Sequence, residues 1–259
     1  MGASLRYNGF MPRIDFNLPR LFVDRDLAGQ RFAALDADQT HYLVNVLRMA
    51  SGARLLVFNG REGEYAATLE ITGKRAARLA VVEQTRPLPP ANDLVYWFAP
   101  LKHARLDYIA QKAVEMGVSA LRPVRTRRTQ SARVNLERLS ANAREAAEQC
   151  GVLRVPSIEP EASLEEALRG APPERLLVFC DEDADHADPL AALRAAKAQN
   201  GATLLIGPEG GFDESERRTI LGAPNVLRLS LGPRILRSDT AAVAALALIQ
   251  SAIGDWRHG

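Results

Sequence analysis

The sequence predicts a small β domain followed by a larger α/β domain with a mostly parallel sheet. In the first part, short apolar runs are separated by glycine-containing turns, which is typical of β structure. In the second part, apolar strands alternate with amphipathic helices, and this alternation is typical of a parallel sheet. Between them, residues 86–92 contain three prolines in four positions, so we expect a stiff, extended linker.

The N-terminal part contains four runs whose composition favours strands. The predicted strands cover residues 20–23, 54–58, 65–71 and 77–82. A helix is expected at residues 38–48, because Tyr42, Val46 and Met49 fall on one side of it. Together these elements predict a small β-barrel-like domain.

The C-terminal part carries clear helix-start signals. Residues 163–166 and 213–216 form capping boxes, and an Asp-Pro pair at residues 188–189 opens a further helix. The predicted strands cover residues 94–100, 118–124, 155–158, 176–180, 203–206 and 226–231. The other predicted helices cover residues 105–116, 135–149 and 238–253, and the last of these is apolar almost all round.

The composition is that of a globular protein, with 259 residues, 47% of them apolar and 25% charged. No apolar run reaches the roughly 18 residues that span a bilayer, so no membrane association is expected. No secretion-signal pattern is visible, Met11 is an alternative start, and the cytoplasm is the expected location. Cys150 and Cys180 lack a Cys-x-x-Cys partner and the histidines are scattered, so neither a metal site nor a disulfide framework is expected.

The charge is unevenly distributed along the chain. Residues 94–160 carry 11 basic and 6 acidic side chains, whereas residues 161–259 carry 10 basic and 15 acidic ones. A cluster of arginines within twelve residues comprises Arg122, Arg125, Arg127, Arg128 and Arg133. Such a patch favours binding to nucleic-acid phosphates, although a solvated arginine-rich surface is the alternative.

The most specific signal is a pair of similar loops, at residues 204–212 and 229–240. Each consists of an apolar strand, a Gly-Pro turn, polar residues and the start of a helix. Glycine lets the backbone approach a ligand closely, and two such loops can form two walls of one cofactor cleft. Neither loop has a dinucleotide or P-loop motif, and Glu209 would repel phosphate, so a neutral or cationic ligand fits better. An ordinary tight turn is the alternative for either loop alone.

These two loops resemble those of the ribosomal RNA small subunit methyltransferase E family. That family belongs to the SPOUT class of S-adenosylmethionine-dependent enzymes and methylates N3 of a uridine in 16S rRNA. Four further segments are also similar to this family, namely residues 19–22, 41–49, 111–118 and 148–156. The resemblance therefore runs from residue 13 almost to the end of the chain. Val152 and Asp239 depart from the family pattern.

The resemblance implies three parts: a PUA-like, RNA-binding β-barrel domain at residues 13–85, a linker at 86–92 and a SPOUT methyltransferase domain at 93–256. It also implies a C-terminal trefoil knot and a homodimer whose interface borders the cofactor, with the helix at 238–253 contributing apolar surface. The implied partner is 16S rRNA or the small ribosomal subunit.

The chemistry that the resemblance implies suggests roles for individual residues. The expected S-adenosylmethionine-binding residues are Ile206, Gly207, Pro208, Glu209, Gly210, Gly211, Leu229, Leu231, Gly232, Leu236, Ser238 and Thr240. Arg237 is the expected catalytic cation, which stabilises the anion that forms on the uracil ring, with an ion pair to Asp239 as the alternative. Glu209 is expected to act as a general base or to bind the donor's amino group. The expected phosphate contacts are Arg20, Arg48, Lys102, Lys112, Arg127 and Arg128.

Several alternatives stay open at this point. His41 and His103 could accept protons near neutral pH, although surface or capping roles suit them better. Lys112 and Glu115 could form an ordinary intrahelical ion pair. A SPOUT ribose 2′-O-methyltransferase and a non-catalytic RNA-binding factor are the competing functions. The residues do not identify the methylated nucleotide or the general base. They also leave open whether the substrate is naked rRNA or an assembled subunit.

Overall fold

A computed structural model of the chain describes residues 16–131, 133–185 and 188–258. The chain divides into two compact units, of which the first ends at Pro89 and the second runs from Pro90 to His258. The alternative start at Met11, the predicted domain start at residue 13 and the side chain of His103 lie outside the described residues.

The N-terminal unit contains a five-stranded sheet in the order β1-β3-β4-β5-β2. Its strands are β1 (Arg20–Phe22), β2 (Phe32–Ala34), β3 (Arg54–Phe58), β4 (Glu64–Gly73) and β5 (Ala76–Arg86). The pair β1–β3 is parallel and the other pairs are antiparallel. Strand β2 was not predicted, because three residues are too few to show an alternating pattern. Within residues 16–89, β1 and β2 form the two ends of this hydrogen-bonded order, in the domain that the sequence predicts to be β-barrel-like.

The helix predicted at residues 38–48 ends two residues earlier, and its second half is π-helical. Helix α1 (Ala37–His41) starts with a capping box at Asp36 and continues as a π-helical turn, Tyr42–Val46. The wider turn buries Leu43 in the core, whereas Tyr42 and Val46 are exposed instead of facing inward together.

A buried ion cluster lies at the edge of this sheet. The Glu64 carboxylate accepts hydrogen bonds at 2.7 Å from Arg20 Nε and from Arg86, and the Arg20 and Glu64 side chains are each only 3% exposed. Burial alone would raise the pKa of Glu64, but hydrogen bonds from Arg86, Arg20 and Thr85 lower it below its usual value. The prediction that Arg20 contacts phosphate is therefore wrong, because its guanidinium is enclosed and neutralised. Arg86 ends β5, so the proline-rich linker begins one residue later than predicted.

Replacing Arg20 with alanine should destabilise the N-terminal unit by about 3–5 kcal/mol, since it leaves a buried carboxylate short of a partner. Because the folded pKa of Glu64 is lowered, the cluster's contribution is present above the unfolded pKa of about 4.3 and disappears as the pH falls through the folded pKa. Hydrogen exchange of β3 amides in denaturant measures the effect. Arg54→Ala, on the exposed start of β3, is the control. Equal protection in both variants would contradict this account.

The C-terminal unit is built on a parallel sheet of seven strands in the order β12-β10-β11-β6-β7-β8, with β9 also paired to β7. The strands are β6 (Leu94–Phe98), β7 (Ala120–Arg125), β8 (Ser157–Ile158), β9 (Ala162–Ser163), β10 (Leu176–Cys180), β11 (Ala202–Ile206) and β12 (Val226–Leu229). The helices are α2 (His103–Glu115), α3 (Leu136–Cys150), α4 (Leu164–Gly170), α5 (Pro189–Ala195), α6 (Glu214–Leu221) and α7 (Ser238–Ala252). The predicted α/β class with a parallel sheet is thus confirmed.

Helices cover both faces of this sheet. Successive residues of β6 alternate between two apolar clusters: Tyr96 and Phe98 pack in one with residues of α2, α3, α5 and α7, and Trp97 packs in the other with residues of α4 and α6. The sheet is therefore a rigid platform whose carboxyl edge carries the loops. None of the helices in the described ranges is long and apolar enough to span a membrane.

Candidate functional site: a cleft between two glycine loops

A cleft opens at the carboxyl ends of β10, β11 and β12, which are neighbours in the sheet. Because parallel strands end at one edge, the loops that follow them converge there. The cleft is partly open to solvent, and residues at the ends of all three strands line it.

The first loop follows β11 and is held in place by an aromatic side chain. An ideal Cβ at Gly207 would lie 2.6 Å from the ring of Phe212, so only glycine fits there. Phe212 in turn packs edge-on against Phe179, with ring centroids 5.2 Å apart. The Gly211 N–H donates to the Pro208 carbonyl, which closes a tight turn. The Ser238 hydroxyl at the start of α7 donates to the Gly207 carbonyl at 3.0 Å.

The second loop follows β12 and is largely exposed. Gly232 has a φ of +98°, a conformation that other residues rarely adopt, and its N–H donates to the Ser230 hydroxyl. An ideal Cβ at Gly232 would meet no atom within 4 Å, so the glycine leaves open space at the wall of the cleft. Ile235 is 92% exposed, which is unusual for an apolar side chain beside a cleft.

The third wall comes from the residues after β10, which sequence analysis missed. The Asp181 side chain is 1% exposed and lies 2.7 Å from Arg228 and 3.0 Å from Arg217, and its N–H donates to the Leu229 carbonyl. Burial, reinforced by the Asp181 charge, raises the pKa of Cys180 to about 12, so this thiol is neutral at physiological pH. Within the described ranges, no group of three or more metal-ligating side chains forms a metal site.

The structure brings most of the expected cofactor-binding residues together. Those that line the cleft are Ile206, Gly207, Pro208, Gly211, Leu229, Leu231, Gly232, Leu236 and Ser238. Glu209, Gly210 and Thr240 do not line it. Gly210 faces outward, where an ideal Cβ would lie 3.4 Å from the side chain of Arg128. The lining residues outside the two predicted loops are Cys180, Asp181, Glu182 and Ala241. The loop residues that line the cleft without having been singled out individually are Phe212, Ser230, Pro233, Arg234 and Ile235.

The two expected catalytic side chains lie near the cleft but outside its lining. Glu209 forms an ion pair with Arg105 at 2.9 Å and does not line the cleft. Arg237 is exposed at the N-cap of α7. In the described part of the chain it makes no ion pair with Asp239, whose carboxylate accepts the Thr240 N–H.

Several of the basic side chains are engaged within the protein. Arg122 pairs with Glu159 and Arg125 with Glu161, so the predicted arginine cluster presents less charge than its sequence suggests. Lys112 pairs with Glu115 at 2.7 Å, which raises the pKa of the lysine.

Two other arginines hold the first loop from outside the cleft. Arg127, whose side chain is 62% exposed, pairs with Asp213 at 2.9 Å. Hydrogen bonds from the Glu216 N–H and the Ser215 hydroxyl, followed by Arg127, lower the pKa of Asp213 to about 2. Arg128 donates to the Gly210 carbonyl at 2.7 Å.

Two other expected phosphate contacts are exposed. Lys102 precedes α2. Arg48 follows the π-helical turn with a φ of +54°, a strained backbone for a residue with a side chain.

Comparison with known families defines the class of this chain. A family model described as an RNA methyltransferase domain matches residues 88–250, and one described as an RNA methyltransferase PUA domain matches residues 35–82. The chain therefore combines a PUA-like unit with an RNA methyltransferase domain, as the resemblance predicted.

Individual relatives narrow this class further. A ribosomal RNA small subunit methyltransferase E from Rickettsia conorii is 29% identical over 89% of this chain and 94% of its own length. Its namesake from Bacillus subtilis is 30% identical over 83% of this chain and 88% of its own length. A crystal structure is similar to this chain: that of a ribosomal RNA small subunit methyltransferase E from Neisseria gonorrhoeae bound to S-adenosyl methionine. Its sequence is 28% identical, and the superposition covers 90% of this chain and 97% of the Neisseria chain with a TM-score of 0.79. The chain belongs to the ribosomal RNA small subunit methyltransferase E family.

Proposed function

We propose that this protein transfers the methyl group of S-adenosylmethionine to N3 of a uridine in 16S rRNA. The observation that carries the proposal is that both glycine loops line the same cleft, at the ends of neighbouring strands. The relatives support the substrate, since they are named for the rRNA of the small ribosomal subunit. The proposal includes the cytoplasm as the location, because the proposed substrate is ribosomal.

The residues of the cleft fit S-adenosylmethionine. Gly232 leaves space that any side chain would fill, and Gly207 brings backbone to the cleft wall. Apolar side chains such as Leu231 and Leu236 suit the adenine ring, and backbone groups of both loops can satisfy its polar edge. When bound, the cofactor supplies an activated methyl group, so the protein's main task is to orient the acceptor.

The acceptor nitrogen must lose a proton before it can attack. Arg237 is the cation proposed to stabilise the negative charge that develops on the uracil oxygens. Arg234 lies three residues earlier, lines the cleft and is also exposed, so it is the second candidate for this role. Glu209 is bound to Arg105, which suits it to fixing the first loop better than to accepting the proton or binding the donor's amino group.

A homodimer and a C-terminal trefoil knot are parts of this proposal. Ile235 is almost fully exposed beside the cleft, and Val243, Ala247 and Leu248 on α7 are only partly buried. A second copy that covers these apolar side chains would also cover the open side of the cleft. The hydrogen bond between Ser238 and Gly207 joins the start of α7 to the first loop, and this contact is compatible with a knot that contains both loops.

RNA binding is proposed to use Arg48, Lys102, Lys112, Arg127 and Arg128. Replacing Arg127 and Arg128 together with glutamine should lower the slope of log affinity against log salt by about 1–2, because each lost phosphate contact removes roughly 0.7–0.9. Titration of 16S rRNA fragments at several salt concentrations measures the slope. Arg125→Gln is the control, since the Arg125 side chain is paired with Glu161 and is 38% exposed, against 62% for Arg127. An unchanged slope in the double variant would remove both arginines from the RNA surface.

Transfer of a labelled methyl group tests the proposed function. The protein is incubated with labelled S-adenosylmethionine and, in separate reactions, with small subunits, naked 16S rRNA or tRNA. Label should enter the 16S rRNA of at least one ribosomal substrate and should not enter tRNA. Label in tRNA alone would favour the ribose 2′-O-methyltransferase alternative, and no label in any reaction would contradict the proposal.

A further inference from the structure

Glu182 is one of two acidic residues that line the cleft, the other being Asp181. The Glu182 side chain is 55% exposed, so its oxygens can reach a ligand. Asp181 beside it is buried between two arginines, whereas Glu209 does not line the cleft and is paired with Arg105. The nearest cation to Glu182 is Arg217, at a looser 3.6 Å.

Gly211 of the first glycine loop lies beside this carboxylate. Gly211 has a φ of +67°, and an ideal Cβ there would lie 2.7 Å from Glu182 Oε1. A side chain at residue 211 would therefore displace the carboxylate as well as strain the backbone. Glycine at this position keeps Glu182 against the loop, inside the cleft that both loops form.

We propose that Glu182 binds the two ribose hydroxyls of the methyl donor. A carboxylate is purely an acceptor with two oxygens, which matches the two adjacent donors of a ribose diol. Glu182 follows β10, the strand beside the glycine-loop strand β11, and an acidic group after a strand of the same sheet binds ribose in dinucleotide folds. Arg217 already balances the charge of the Glu182 carboxylate, so a neutral hydrogen-bond donor suits this carboxylate better than a second cation does.

Calorimetry on the intact protein tests this inference, which rests on the proposed use of S-adenosylmethionine. Three ligands separate the possible contacts: S-adenosylmethionine, S-adenosylhomocysteine without the sulfonium charge, and 5′-methylthioadenosine without the amino-acid group. Glu182→Gln should weaken all three by a similar factor of about 10–100, because all keep the diol and a hydrogen bond to a charged acceptor is lost. Asp183→Asn is the matched control, since Asp183 also pairs with Arg217 but does not line the cleft.

Each other outcome overturns the assignment. A loss confined to S-adenosylmethionine would make Glu182 a partner of the sulfonium. A loss for both S-adenosylmethionine and S-adenosylhomocysteine that spares 5′-methylthioadenosine would make it a partner of the amino group. An equal loss in Asp183→Asn would show that the effect passes through Arg217. Unchanged affinity in Glu182→Gln, with tight binding by the wild type, refutes this inference alone. Failure of the wild type to bind any of the ligands refutes the proposed function as well.

Discussion

Replacing Gly232 with valine is expected to weaken S-adenosylmethionine binding by at least about 100-fold, a loss of roughly 2.7 kcal/mol or more. The glycine lines the cleft with open space where a side chain would project, so valine fills part of the ligand's volume. Its φ of +98° also disfavours a β-branched residue, which would shift the second loop. Calorimetric titration with S-adenosylmethionine measures the effect.

Gly52→Val is the control that distinguishes the effect of backbone strain from the effect of blocking the cleft. Gly52 in the N-terminal unit has a φ of +90°, and an ideal Cβ there also meets no atom within 4 Å. This variant should lose stability but keep its donor affinity. Wild-type affinity in Gly232→Val would show that the donor does not occupy the space beside the second loop. Gly210→Val is a weaker test, because Gly210 does not line the cleft and an ideal Cβ there would lie 3.4 Å from the side chain of Arg128.

Replacing Arg237 with alanine is expected to lower the single-turnover rate of methylation by about 100- to 1,000-fold, comparable with the loss of one oxyanion-stabilising donor. Donor affinity and RNA affinity should stay nearly unchanged, since the proposed interaction appears mainly in the transition state. Rapid-quench measurement with saturating enzyme and labelled donor gives the rate.

Two further variants decide how the Arg237 result is interpreted. Arg234→Ala tests the other exposed arginine of the second loop, and Arg194→Ala on α5 is an exposed control outside the cleft lining. A large rate loss in Arg234→Ala with a wild-type rate in Arg237→Ala would transfer the catalytic role to Arg234. Equal small losses in all three would remove the cation from the mechanism.

The loops could be predicted from the sequence because their determinants are local. A strand followed by Gly-Pro and a helix start fixes the path of the chain within a few residues, and Gly207, Gly211 and Gly232 all line the cleft as expected. The capping boxes at Asp213 and Ser163 also form as predicted, since each involves side chains only three residues apart.

The remaining features depend on residues that are far apart in the chain. Arg20 looked like a surface cation because Glu64, its partner, is 44 residues away. Glu209 looked like a ligand of the donor because Arg105 is 104 residues away. Glu182 has no motif around it, and it reaches the cleft only because β10 lies between β11 and β12 in the sheet. Strand order of this kind is set by packing of the whole domain and not by local pattern.

The identity of the methylated atom tests the central proposal most directly. Small-subunit rRNA is methylated by the protein with labelled S-adenosylmethionine and digested to nucleosides, and the labelled nucleoside is identified by chromatography and mass spectrometry. The proposal predicts a single labelled product, 3-methyluridine, which carries its methyl group on the base. A label on the ribose, as in a 2′-O-methylnucleoside, or on any base other than uracil would contradict it.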